Sequence, residues 1–281
     1  MAQTSNADRK VPTRRISFEE SLQGLPKHFA DDGDLVLSHL AAALSSLFPD
    51  GEDFFVRSVR HFRDDITDPA LKKQVAGFIG QEAVHGREHR VFNDRLDELG
   101  YPTKLYERIT KRGLELRERI ATPKANLALT AGLEHFTATL AELLLEHEDA
   151  RRLFGHAEVR NLFLWHALEE SEHKAVGGSE RTRVITMNVL RFGFVAMLAL
   201  QIAGSIAFDR RTYRRGVLRK SLARLRRSPL LTRELWNQLR DYNRRDFHPD
   251  DRDTTELVAR WREDLFGASG TLNDKLATAA A

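Results

Sequence analysis

The sequence predicts an all-α fold for this 281-residue chain, and three observations support the prediction. Apolar residues recur at spacings of three and four along most of the chain, and no stretch alternates as a strand would. Glycine (17) and proline (8) are few, and they separate the periodic stretches. Leucine, alanine, arginine and glutamate, which favour helices, are plentiful. We therefore expect a series of helices around a sizeable core.

The first part of the chain divides into helices at turn signals. Residues 34–48 are periodic and end at residues 49–51, Pro-Asp-Gly, which predict a turn. Asp68 and Thr122 each precede a proline, and a capping side chain before a proline is typical of a helix start. The predicted helices are 34–48, 52–66, 69–99, 102–120, 123–147 and 158–176, the last two joined by a connection over 149–155.

The rest of the chain differs in character. Residues 184–208 are strongly apolar, and helices are expected again at 232–242 and 254–266. Residues 210–227 hold nine basic and no acidic side chains, so the remainder of the chain, whose total charge is +3, sums to −6 (3 minus 9). The predicted organisation is a disordered lead (1–15), one helical domain (16–266) and a disordered tail (267–281), the domain comprising a bundle (52–176), apolar and basic helices (182–227) and C-terminal helices (232–266).

Composition excludes several classes of function. The absence of cysteine excludes disulfides, thiolate zinc sites, iron–sulfur clusters and a cysteine nucleophile. The first fifteen residues contain no apolar run, so we expect no secretory signal and a cytoplasmic protein. The basic segment contains a single aromatic residue and the remainder is acidic, which argues against nucleic-acid binding.

Two Glu-x-x-His motifs on predicted helices indicate a metal site. They are formed by Glu82 with His85 and by Glu170 with His173. Residues three apart share one face of a helix, so each carboxylate and imidazole can reach the same ion. Such a motif arises often by chance, and the alternative is that these are solvated surface residues.

A hairpin construction adds one glutamate to each motif. If the turn at 67–68 joins antiparallel helices, the residue opposite Glu82 and His85 lies as far before the turn as they lie after it, which is Glu52. The same construction about the connection before the second motif places Glu134 opposite that motif. One Glu from each of two helices and Glu-x-x-His from two others is the ligand set of ferritin-like di-metal proteins. The predicted metal ligands are Glu52, Glu82, His85, Glu134, Glu170 and His173.

The charge of this set indicates which cations it would bind. Four carboxylates in a bundle core are destabilising unless they are neutralised, and two divalent cations balance them. Imidazole and carboxylate ligands without thiolate favour two iron ions, with manganese or zinc as alternatives.

The sequence around these positions resembles a known family. The segments that carry the resemblance are PDGE at 49–52, QEAVHGREH at 81–89, EHFT at 134–137 and WHALEESEHK at 165–174. They are similar to a bacterial family described as predicted metal-dependent hydrolases, over about residues 11–266. The resemblance implies a ferritin-like di-iron carboxylate fold, a four-helix bundle with additional C-terminal helices. The Gly-Gly pair at 177–178 departs from it, and we expect a shortened helix or a missing segment there.

Other polar residues accompany the motifs. His89 and His166 lie one helical turn from them on the same stripe, and each is a candidate further ligand, orienting partner or catalytic group. No other catalytic residue is predicted. Glu169 and Glu172 are expected at the surface or as orienting partners, and His135 in packing.

The apolar segment 184–208 has three interpretations. The favoured one is a core or substrate-channel helix. The second is contact with a membrane surface through residues 184–227, since the basic run predicts an amphipathic helix suited to anionic lipid. The third is a membrane span, for which the run is short and interrupted by Asn188 and Arg191.

Three functions follow from these expectations. In the first, two irons activate oxygen in an oxidase or oxygenase that acts on a hydrophobic small molecule or acyl chain and needs an electron-donor protein. In the second, a metal-dependent hydrolase uses a metal-bridged water. In the third, the chain is a non-catalytic metal-binding or storage protein. A homodimer and a peripheral location at the inner membrane are further expectations.

Overall fold

The computed structural model of the protein describes residues 11–173, 180–248 and 251–277. Within them every regular element is a helix, apart from one isolated bridge between Ile16 and Leu276, which confirms the all-α prediction. The Gly-Gly pair at 177–178 and the end of the predicted helix 158–176 lie outside the described residues. The helices are α1 (Leu35–Ser45), α2 (Phe48–Arg60), α3 (Pro69–Glu98), α4 (Thr103–Ile120), α5 (Pro123–Glu146), α6 (Glu148–Arg151), α7 (Ala157–Glu172), α8 (Glu180–Val189), α9 (Val195–Ala207), α10 (Val217–Arg226), α11 (Arg233–Asp241) and α12 (Thr255–Phe266).

Four of these helices position the candidate site. Helix α2 packs along α3, α5 packs along α7, and α2 also contacts α5. Helices α3 and α5 begin at prolines, and the side chains of Asp68 and Thr122 accept hydrogen bonds from backbone N–H groups of the first turns, as the sequence predicted. Helix α4 packs on α2 and α3. Helix α11 packs on α5, and α12 packs on α7 and α5.

Helix α2 begins earlier than the sequence predicted. Residues 49–51 were expected to form a turn and the helix to start at Glu52. Pro49 instead occupies the first turn of α2, where its missing N–H group would have no helical partner in any case. Glu52 therefore lies inside the helix, with its side chain in the bundle interior.

Both ends of the domain are ordered further than the sequence indicated. Residues 11–15 and 267–277 were expected to be disordered, and the structure corrects this. Arg14 pairs with Glu172 at 2.8 Å, so a buried carboxylate fixes the N-terminal segment. In the C-terminal segment Leu272 is fully buried in the core.

One helix among the described residues is long and apolar enough to cross a membrane: Val184–Ala207. It consists of α8, a π-helical stretch (Leu190–Phe194) and α9. One face packs on α1 and α5, but Phe192 and Leu200 on the other face are 70% and 74% exposed. The expectation of a core helix is therefore wrong, because most apolar side chains of this run are exposed or only partly buried.

The basic segment forms two short helical elements instead of the single helix predicted. Residues 210–227 were expected to form one helix, but they form a 3-10 turn (Arg210–Tyr213) and then α10. Gly216 separates the two with a φ of 80°, a left-handed conformation that glycine adopts without strain.

Candidate metal centre

The six predicted ligands lie in one buried cluster between α2, α3, α5 and α7. None of them exposes more than 7% of its surface. Glu52 comes from α2, Glu82 and His85 from α3, Glu134 from α5, Glu170 from α7 and His173 from the residue that ends α7. The solvated-surface alternative for these side chains is thereby excluded.

The cluster contains two groups of ligand atoms suited to metal ions. In each group the three atoms lie within 4.8 Å of one another. The first group is Glu52, His85 and His166, and the second is Glu82, Glu170 and His173. Glu134 joins the second group, because its Oε2 lies 3.1 Å from Nδ1 of His173.

Several atoms of this cluster have no hydrogen-bond partner among the described residues. Both carboxylate oxygens of Glu52 and of Glu82 are buried and unpaired, as are Oε1 of Glu134 and Nδ1 of His85. Buried ionisable groups are stable only when they are paired or bind a metal ion. Oxygen and imidazole donors without sulfur fit divalent cations of the manganese, iron and zinc type.

In the metal-free cluster, bound protons neutralise part of the carboxylate charge that cations would otherwise balance. Burial raises the pKa of Glu52 and of Glu82 well above the ordinary range. Burial and the charge of Glu170 raise the pKa of Glu134 to about 7. Burial alone would lower the pKa of His85, but its hydrogen bond to Glu169 and the surrounding carboxylates raise it to about 9.

Two imidazoles are held with Nδ1 towards the cluster. Nε2 of His85 donates to Oε2 of Glu169 at 2.9 Å. Nε2 of His173 donates to Oε1 of Gln81 at 2.7 Å. Fixing the outer ring nitrogen in this way orients a metal-ligating histidine and sets its tautomer.

A chain of hydrogen bonds behind the cluster fixes the protons of two further imidazoles. The amide nitrogen of Asn93 donates to Glu107 at 2.8 Å, so Oδ1 of Asn93 accepts from the hydroxyl of Ser45 at 2.7 Å. The Ser45 oxygen then accepts from Nδ1–H of His89 at 2.8 Å. Nε2 of His89 is left to accept from Nδ1–H of His166 at 2.7 Å.

The same chain leaves a lone pair on Nε2 of His166. That atom lies 3.2 Å from Oε1 of Glu170 and 3.6 Å from Oε1 of Glu52. Burial and the neighbouring charge of His85 lower the pKa of His166 to about 4, which keeps the ring neutral. A lone pair that faces carboxylates is favourable when a cation lies between them. His166 therefore groups with the candidate ligand atoms of Glu52 and His85, and His89 lies behind it, bonded to its other ring nitrogen.

Sequence reasoning missed two contributors to this site. Arg14 donates to Glu169 at 2.8 Å and also pairs with Glu172, but nothing in its local sequence pattern indicates the contact. Gln81 donates to Glu172 at 2.7 Å while its carbonyl oxygen holds His173. Its position directly before the first motif was the available signal. Glu169 and Glu172 are buried orienting partners rather than surface residues.

A cavity of about 130 Å³ reaches the cluster between α5, the end of α11 and the residues that follow α11. Glu134 and His173 lie at its inner end, and Arg244 and Arg252 are among its walls. Most of its described lining residues are polar, and none of them comes from residues 184–208. The apolar helix therefore does not line this access path, contrary to the substrate-channel interpretation.

A second histidine–aspartate cluster lies outside the bundle interior. Ligand atoms of His28, His39 and Asp209 also lie within 4.8 Å of one another. Nε2 of His28 and Nε2 of His39 both donate to Oδ2 of Asp209, at 3.0 and 3.2 Å. Nδ1 of His39 accepts from the hydroxyl of Ser205 at 2.6 Å, and Lys27 pairs with Asp209 at 3.3 Å. Each of these atoms has a partner, so this cluster is complete without a cation.

Comparison with known proteins points to a metal-dependent protein. A family model described as "Predicted metal-dependent hydrolase" matches residues 12–253. No curated protein and no solved structure matches the chain. The matched range contains every residue of the bundle cluster.

Proposed function

The chain belongs to the family of predicted metal-dependent hydrolases, and we propose that it catalyses hydrolysis at a pair of divalent metal ions. The observation that carries the proposal is the set of buried oxygens on Glu52, Glu82 and Glu134 that have no hydrogen-bond partner among the described residues and lie beside imidazoles. Two divalent cations would balance the four carboxylates of the cluster.

The two groups of ligand atoms suggest how the ions are held. Glu52, His85 and His166 would hold one ion. Glu82, Glu170 and His173 would hold the other, with Glu134 beside them. This assignment adds His166 to the six ligands that the sequence predicts.

The surrounding residues prepare this site for hydrolysis. Paired ions of this kind lower the pKa of a bridging water and neutralise charge on a phosphoryl or acyl oxygen. Glu169 and Gln81 hold the imidazoles of His85 and His173 in place, which preserves the site geometry through turnover. The polar cavity would give water and a polar substrate access to the cluster.

An oxygen-activating enzyme with two irons is the second candidate. It is favoured by the composition of the cluster, because glutamates and histidines from four helices also form the site of ferritin-like di-iron proteins. The hydrolase is preferred for two reasons. The described access path is polar, and the family to which the chain belongs is described as hydrolytic.

One experiment separates the two candidates. Metal-free protein is loaded with manganese, zinc or ferrous iron. Three substrates are then supplied: nitrophenyl phosphate, bis-nitrophenyl phosphate and nitrophenyl acetate. Release of nitrophenol is followed in air and under nitrogen. The hydrolase predicts metal-dependent release that is independent of oxygen, lost in Glu52→Gln and retained in Glu118→Gln. Glu118 provides the control because it pairs with Arg57 outside the cluster.

The opposite outcomes are equally defined. Oxygen uptake by the ferrous protein without ester cleavage would favour the second candidate. If no metal supports ester cleavage or oxygen uptake, both candidates are contradicted.

A further inference from the structure

The helical stretch 184–208 exposes an apolar face to solvent and buries polar side chains against the protein. Ten residues of this stretch are exposed, and all ten are apolar or glycine. They recur at spacings of three and four, so they form one continuous stripe: Ile185, Val189, Phe192, Gly193, Ala196, Ala199, Leu200, Ala203, Ala207 and Phe208. The polar side chains Gln201 and Ser205 are buried against the protein. A soluble surface helix has the opposite arrangement, so we expect this stripe to be covered.

Helix α4 touches this helix at one end and also exposes apolar side chains. The hydroxyl of Tyr106, near the start of α4, donates to the carbonyl of Gln201 at 2.5 Å, which brings that end of α4 to α9. Leu116 and Ile120 on α4 are 57% and 77% exposed. Every exposed residue of α4 is apolar, glycine or basic, and none is acidic.

The segment after the stripe is strongly basic. Residues 210–227 contain nine arginine and lysine side chains and no acidic one, and seven of the nine are exposed. Tyr213 and Leu222 in the same segment are also exposed, at 75% and 40%. An apolar face beside a basic one is the composition of helices that lie in the interface of anionic membranes.

We propose that residues 184–227 dock the protein on the surface of a membrane that contains anionic lipid. The apolar stripe would enter the boundary between headgroups and acyl chains, and the exposed arginines would contact the phosphates. The excess of basic over acidic side chains on this face favours lipid as the occupant over a second copy of the chain, since a symmetric dimer would bring two basic segments together.

The inner contacts of the helix argue against a spanning orientation. Ser205 bonds His39 on α1 at 2.6 Å, and α8 packs on α5. A helix held to the protein along its inner face cannot be surrounded by lipid. This docking is independent of the reaction proposed for the metal centre.

The test is co-sedimentation of the full chain with vesicles. One vesicle population is pure phosphatidylcholine, and the other contains 30% phosphatidylglycerol. The proposal predicts at least about tenfold stronger binding to the anionic vesicles, reduced in high salt. The double variant Phe192→Ser with Leu200→Ser should lose about tenfold or more of the binding, as should Arg214→Glu with Arg215→Glu.

A matched control and two further measurements make the result decisive. Leu71→Ser changes a 43% exposed leucine on α3 and should bind as the wild type does. Thermal unfolding of each variant checks that the fold is retained. Equal binding to both vesicle types, or equal loss in Leu71→Ser, would overturn the proposal.

Two other occupants are outcomes of the same test. A dimer that the Phe192→Ser, Leu200→Ser variant converts into a monomer, without vesicle binding by the wild type, would identify a second copy as the occupant. Protein that stays with the vesicles in alkaline carbonate would identify a spanning helix. Either result would overturn surface docking.

Discussion

The bundle cluster and the cluster of His28, His39 and Asp209 both bring imidazoles and carboxylates within 4.8 Å of one another, but they differ in hydrogen bonding. In the second cluster both imidazoles bond one carboxylate oxygen, and every atom involved has a partner. In the bundle both oxygens of Glu52 and of Glu82 lack a hydrogen-bond partner within the part of the chain that the structure describes. The proximity of potential ligands is therefore a weaker indication of a metal site than buried acceptors left without donors.

The largest change in metal content is expected from removing one carboxylate of the bundle cluster. Glu82→Gln keeps the size of the side chain but removes a charge from the second group of ligand atoms. We expect the variant to lose at least one of two metal equivalents, measured by elemental analysis after metal loading. The metal-free variant should unfold no more easily than the metal-free wild type, because neither oxygen of Glu82 has a hydrogen bond to lose among the described residues.

The outcome that would contradict this expectation is a variant with full metal content and reduced stability. Glu82 would then be a structural residue with partners of its own.

A smaller effect is expected behind the cluster. His89→Leu removes the acceptor that keeps the proton of His166 on Nδ1, and metal affinity should fall by about 10- to 100-fold, as it does when orienting partners of other metal ligands are removed. Chelator competition measures the affinity. His135→Leu is the matched control, because this partly buried imidazole stacks on Tyr242 and makes no bond to the cluster. Equal effects of the two substitutions would contradict the orienting role.

The second cluster should respond in the opposite way. Asp209→Ala removes the acceptor of His28 and His39, and we expect the free energy of unfolding to fall by about 2 kcal/mol, the scale of a lost charged hydrogen bond. Metal content should stay at the wild-type value. Urea unfolding and elemental analysis measure the two quantities. Loss of a metal equivalent in Asp209→Ala would show that the satisfied cluster also binds a cation.

The pH dependence of stability should differ between the metal-free and metal-loaded protein. The folded pKa of Glu134 is about 7 instead of 4.5, so the metal-free folded state keeps a proton that the unfolded chain releases, and stability falls as pH rises through this range. The folded pKa of His85 is about 9 instead of 6.5, and its stabilising contribution is likewise lost as pH rises towards 9.

Both contributions have the same sign. Histidines whose pKa is lowered, such as His166, oppose the contribution of Glu134 below about pH 7. The melting temperature of the metal-free protein should therefore fall between about pH 7 and pH 9 and should change less when metal replaces the protons. Thermal unfolding with and without manganese measures this difference. A melting temperature that rises over the interval without metal would contradict the assignment.

The two clusters also show what could be predicted from the sequence. Glu52 and Glu134 were found because equal distances from a turn place residues opposite each other in a helical hairpin, and the structure brings both to the motifs. Arg14 could not be found, since its contact with Glu169 spans 155 positions and no local pattern encodes it. His89 and His166 share one stripe, and only the hydrogen bonds that start at Asn93 distinguish their roles.

The apolar helix was mispredicted for a related reason. Periodicity locates an apolar face, but it does not say whether that face points to the core or away from it. In residues 184–208 the buried Gln201 and Ser205 define the inner face. The sequence contained both residues, but without the position of α1 they could not be assigned to a side.

The most direct test of the metal centre is anomalous X-ray scattering from crystals grown with manganese. We predict two anomalous peaks inside the bundle, one within reach of Nε2 of His166 and one within reach of Nδ1 of His173. Crystals that show no peak there, or a peak only beside Asp209, would contradict the account.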